Sequence, residues 1–153
     1  MMMRKIADYA IRERSSKLPP EVVHHAKRAV IDWYASLLPG SRVAPAVQLE
    51  QALADELDRG RARLASGRRA TLRAAALING SASHAVEFDD IWRNAVYHPG
   101  APVIAAALAT AHAQDASGEL FLRGVIVGYE ISTRIGEAVM PSHYKYWHTT
   151  GTV

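Results

Sequence analysis

Between His84 and His98 the chain places three carboxylates, Glu87, Asp89 and Asp90, and the run closes on a Pro99-Gly100 break. Such a set has three chemical uses. Neighbouring carboxylates push their pKa values apart, so one site can hold both a general acid and a general base. Histidine and carboxylate are also metal ligands, and a metal reading would draw on His84, Asp89, Asp90 and His98. Their spacing matches neither HExxH nor a calcium loop, which argues against that reading. The third use is a solvated or capping run, the commoner fate of an acidic cluster.

His98 stands immediately before an expected helix start, and His148 repeats the arrangement before "TTG", where Thr149 or Thr150 is suited to cap a further helix. The free N–H groups and positive dipole end of a helix N-terminus attract anions. Two histidines at two helix entrances therefore make a cradle for an acidic small molecule, although a histidine so placed is often only a cap or a loop contact. From the residues alone, the reading is a helical domain with a candidate anion site.

The elements that must hold these groups are helical. "LPPEVVHHAKRAVIDWYASLLPG" opens with prolines suited to a first turn and closes on Pro39-Gly40. At helical spacing Val22, Val23, Ala26, Val30, Trp33, Tyr34 and Leu37 share one face, with His24, His25, Arg28 and Asp32 opposite. A shorter helix is expected over Pro45 to Leu57. "ATLRAAALINGSASHAV" reads as another, weakened near Asn79-Gly80, and "GAPVIAAALATAHAQ" as the next. The longest, "SGELFLRGVIVGYEISTRIGEAVM", is capped by Ser117 and carries small residues at Gly124, Gly128, Ser132 and Gly136, a stripe that lets a neighbouring backbone approach. Within it Glu130 and Arg134 are spaced to pair. No β-prone run alternates convincingly. The expected fold is an all-α multi-helix bundle.

Composition narrows the function. There is no cysteine, which excludes disulfides, thiolate metal sites and cysteine-ligated iron–sulfur clusters and fits a reducing, cytoplasmic setting. The N-terminus lacks the apolar run of a signal peptide, and no window reaches the ~18 apolar residues of a membrane span, so a soluble protein is expected. The mild basic excess, a net charge of +3, gathers in "RGRARLASGRRATLR". Clustered arginine is a nucleic-acid footprint, but no aromatic residue interleaves it as a stacking platform. A solvated connector between helices is the better reading, with no nucleic-acid partner.

The succession "LPPEVVHHAKRAVIDWYASLLPGS", "NGSASHAVEFDD", "HPGAPVIAAALA", "GYEISTRIG" and "HTTGTV" resembles the N-terminal part of the MmgE/PrpD family along essentially the whole chain. That family includes 2-methylcitrate dehydratase, cis-aconitate decarboxylase and an iminodisuccinate epimerase. The resemblance implies a homodimer with a large helical domain and a smaller α+β lid, acting on small di- or tricarboxylates without metal or organic cofactor. Carried over by motif, Glu87 is the acid that opens "EFDD", His98 the histidine of "HP", and His148 the histidine before the later threonines. These three are the expected catalytic groups. Asp89, Asp90 and Ile91 complete the motif on the substrate side, with Asp90 also suited to cap or to bond the backbone. Three positions depart from the pattern: Glu87 where Asp is usual, Ile91 where Thr is usual, and Gly100 where Ser follows "HP".

The implied activity is that of a 2-methylcitrate dehydratase-like lyase, removing a proton α to a carboxylate with loss of the β-hydroxyl. Family members are longer, and the active-site lysines and tyrosine of their later segments have no counterpart in residues 1–153. The stop at Val153 leads to the expectation that this is the N-terminal portion of the helical domain, truncated and without the lid. The alternative is a non-catalytic helical module, from a truncated or split gene, that needs a partner chain.

Overall fold

The computed structural model describes residues 2–148, so the cap expected at Thr149 or Thr150 lies outside the described residues. Six helices dominate: α1 (Met2–Glu13), α2 (Pro20–Gly40), α3 (Ala46–Ala52), α4 (Leu72–His84), α5 (Gly100–Gln114) and α6 (Gly118–Val139). The fold is largely all-α, as expected. Pro20 occupies the first turn of α2 and Gly40 ends it. Ser117 accepts a 3.2 Å hydrogen bond from the Leu120 N–H and starts α6. No helix among the described residues is long and apolar enough to cross a membrane.

The core lies where α2, α4, α5 and α6 meet. Trp33 and Leu37 of α2 pack with Ala82 of α4, Ile104 and Ala105 of α5, and Val125 of α6. Alanine and glycine at the crossings let the helices come close. A Cβ on Gly80 would lie 3.1 Å from the Ala101 carbonyl, and one on Gly128 would overlap Val103. The small-residue stripe of α6 thus faces α5 at Gly124 and Gly128. On α2, His24 and His25 are exposed as expected, and Tyr34 also reaches solvent from the edge of the apolar face.

The arginine-rich segment is more ordered than a connector. It forms β1 (Leu57–Arg63) and β2 (Arg69–Ala70), an antiparallel pair with an irregularity between Leu57 and Ala62. The helix expected to reach Leu57 accordingly ends at Ala52. The hairpin buries Leu57, Ala62, Leu64 and Ala70 against α4, while its arginines stay outside and find local anions. Arg61 pairs with Asp115 at 3.2 Å, Arg68 with Asp58 at 2.5 Å, and Arg73 with Glu56. At exposed positions such pairs contribute little stability, but they neutralise the segment.

Asn79, expected to weaken α4, instead clamps the hairpin. Its side chain is buried, accepts from the Ala65 N–H at 3.1 Å and donates to the Arg63 carbonyl at 2.9 Å. Asn79→Ala leaves both backbone groups without that partner and should cost about 1–3 kcal/mol, read from urea unfolding. A change within a few tenths of a kcal/mol would contradict the clamp.

Candidate active site

The site is built where α4 ends and α5 begins. His84 is the last residue of α4. The chain then reverses through Glu87, whose φ of 56° is left-handed and whose N–H bonds the His84 carbonyl at 3.2 Å. A left-handed residue commonly closes a helix this way. The reversal carries Asp89 back beneath His84, so that both carboxylate oxygens lie 3.1 Å from His84 Nδ1.

A second turn sets His98. Trp92 and Tyr97 pair across it, with N–H to carbonyl distances of 2.7 and 3.3 Å, and Val96 between them has a φ of 47°. That conformation is strained for a β-branched residue. It drives Tyr97 into the core and leaves His98 at the entrance to α5. Trp92 Nε1 and Asn94 Nδ2 donate to Glu137 at 2.8 and 2.9 Å, tying the turn to α6. These bonds, Asn94's first, hold the Glu137 carboxyl below its ordinary range.

The two turns bring two imidazoles, His84 and His98, to one carboxylate. Asp89 has a side chain 1% exposed, and its Oδ2 lies 3.4 Å from His98 Nδ1. The His84 and His98 rings are 4.7 Å apart by centroid, and His98 and His148 are stacked at 6.4 Å. His98 and His148, expected together from the motif, are therefore neighbours, and His84 joins them. Glu87 is exposed, and its carboxylate makes no hydrogen bond or ion pair among the described residues. Ile91 is half exposed.

Asp90 points the other way. Its Oδ1 accepts from the Gly100 N–H at 3.0 Å, capping α5, and its Oδ2 accepts from the Tyr129 hydroxyl at 2.8 Å. Burial raises the Asp90 carboxyl, and the two hydrogen bonds partly offset that. Tyr129 is pushed well above the ordinary phenol value, first by burial and then by the Asp90 charge, so its hydroxyl stays protonated and donates. Two apolar grooves, about 840 Å³ along α5 and α6 and about 800 Å³ between α1, α2 and α6, include none of the three histidines, although Trp92, Tyr129 and Glu137 line the second.

The sequence matches the MmgE/PrpD N-terminal domain over residues 4–153. The chain belongs to the MmgE/PrpD family. It is also 30% identical over 155 residues to a cis-aconitate decarboxylase-like protein, oryM, of Aspergillus oryzae (strain ATCC 42149 / RIB 40). That match covers 95% of this chain and 32% of the relative, so the chain spans about a third of the relative's length.

One departure of this MmgE/PrpD chain from the usual motif has a local cause. A Cβ at Gly100 would sit 2.6 Å from Asp90 Oδ1 and 3.0 Å from the Tyr129 hydroxyl. With Asp90 capping α5 from that side, residue 100 has no room for a side chain. Gly100→Ala should therefore displace the cap and cost about 1–3 kcal/mol. In a thermal unfolding cycle with Asp90→Ala the two effects should fall short of additive. Strict additivity would contradict the crowding. The sequence motif assigns Tyr129, Trp92, Asn94 and Glu137 no role in the MmgE/PrpD site. The "GYE" landmark held Tyr129, but nothing in the sequence ties it to Asp90, 39 residues away.

Proposed function

We propose that this MmgE/PrpD domain supplies one wall of a polycarboxylate site and takes part in 2-methylcitrate dehydratase-like elimination. The observation that carries the reading is the stacked pair His98 and His148, with His98 seated against the buried carboxylate of Asp89. In the elimination, His98 removes a proton from the carbon α to a substrate carboxylate. The C–H electron pair becomes the new C=C bond, and the β-hydroxyl leaves as water with a proton from His148. The buried Asp89 carboxylate, 3.4 Å from His98 Nδ1, favours the imidazolium that forms when His98 takes the proton on Nε2. Glu87, exposed in the same turn, orients the substrate or shares its proton. Ile91 offers an apolar contact where a hydroxyl is usual, and Asp90 supports the wall by fixing the start of α5.

A polycarboxylate also needs cations around its charge. The chain's coverage of 32% of its Aspergillus relative supports assigning those groups to further segments or to a partner subunit, in a cytoplasmic homodimer that needs no cofactor. The same coverage favours a second reading, a helical module inactive until another chain completes it.

The test is to incubate the complete protein with 2-methylcitrate, cis-aconitate and iminodisuccinate and follow each by NMR. Loss of water from 2-methylcitrate supports the hydro-lyase reading. Turnover of cis-aconitate or iminodisuccinate alone would replace it with decarboxylation or epimerisation, and no turnover of any would favour the non-catalytic module.

A further inference from the structure

Asp89 is a carboxylate almost shut off from water and flanked by imidazole nitrogens. Its oxygens lie 3.1 Å from His84 Nδ1, and Oδ2 lies 3.4 Å from His98 Nδ1. His98 Nδ1 is itself buried, and no hydrogen-bond partner meets it in good geometry among the described residues. One ligand atom from each of His84, Asp89 and His98 can be chosen so that all lie within 4.8 Å of one another.

These separations suit a shared cation. Zinc bonds to imidazole nitrogen and carboxylate oxygen are ~2.0–2.2 Å long, which sets neighbouring tetrahedral ligand atoms ~3.3 Å apart. Two nitrogens and one carboxylate are the donors of zinc, cobalt or nickel, whereas magnesium and calcium take all-oxygen shells. The ligands also stand on rigid supports. His84 ends α4, His98 adjoins the first turn of α5, and the left-handed turn at Glu87 fixes Asp89 between them. The cluster gathers from a helix end, a turn and a helix entrance, which is why its spacing fits no linear metal motif.

We propose that His84, Asp89 and His98 bind one divalent transition-metal ion of the zinc type, through the two Nδ1 atoms and the carboxylate, with the remaining coordination open to water or to a ligand carboxylate. The inference does not rest on the lyase reading, because binding is measured without substrate. Where the lyase chemistry operates, the ion occupies the carboxylate that faces His98, and zinc acts as an inhibitor.

Zinc titrated by calorimetry into the purified, chelator-stripped protein should bind at one equivalent, and cobalt should give a visible absorption band. His84→Ala, at a partly exposed side chain, should weaken zinc binding by about tenfold or more and abolish the cobalt band, in protein whose circular dichroism is unchanged. Asp89→Asn should do the same in protein whose circular dichroism is unchanged. The double variant His24→Ala with His25→Ala, on the exposed face of α2, should bind as the parent does. No stoichiometric uptake by the parent, or uptake untouched by His84→Ala, would overturn the proposal.

Discussion

In the complete protein, His98→Ala lowers turnover of the carboxylate substrate by about 10²–10⁴-fold, the range that a positioned general acid or base supplies. The loss should fall on turnover and not on folding. Asp89 keeps His84 Nδ1 at 3.1 Å when the His98 ring is removed, so its buried charge is not left alone. Tyr97 and Pro99, the buried neighbours on either side, are untouched. His148→Ala should bring a loss of similar order, and His84→Ala a smaller one, because in this account His84 shares the carboxylate without touching the substrate. The variants are compared by steady-state kinetics after circular dichroism confirms their helix content. Turnover unchanged in His98→Ala would remove the histidine from the mechanism.

Trp33→Ala should be the most damaging single change to stability, at about 3–5 kcal/mol. Trp33 is 1% exposed at the junction of α2, α4, α5 and α6, where Leu37, Ala82, Ile104 and Val125 surround it. Alanines line much of that junction and have no longer side chains to close a void, so the cavity should persist. The loss is a large share of the ~5–15 kcal/mol that holds a typical domain together. Trp33→Phe should cost markedly less. It keeps most of the ring, and it removes an indole N–H that is buried without a hydrogen-bond partner among the described residues. Urea unfolding of the two variants checks the order. A Trp33→Ala cost below about 1 kcal/mol would mean that the ring does not sit in this core.

The helices that carry the site were legible because their ends are marked. Pro20 and Gly40 bracket α2, Gly100 opens α5, and Ser117 caps α6. The β1–β2 hairpin was not. Its core-facing residues are few and small, and the irregularity between Leu57 and Ala62 breaks the alternation that marks a strand. The arginines then dominate the segment and give it the look of a solvated linker. At the site, the motif drew attention to His98, His148 and Asp90, and Asp90 does meet the backbone, at the Gly100 N–H. What sequence spacing does not carry is direction. Asp89 turns toward two imidazoles and Asp90 toward Tyr129, because the left-handed residue at 87 reverses the chain between α4 and the motif. Asn79 is similar: a helix-weakening residue by propensity, it is retained where buried backbone groups of the hairpin need a side-chain partner.

Hydrogen exchange at carbon reports on proton transfer through His98. The complete protein and its His98→Ala variant are each incubated in D₂O with the substrate carboxylate, and the carbon α to the carboxylate is followed by NMR. Deuterium should appear at that carbon with the parent and none above the uncatalysed background with the variant. Exchange that is equally fast in both proteins, or a parent that converts substrate without breaking the α C–H bond, would contradict proton transfer through His98.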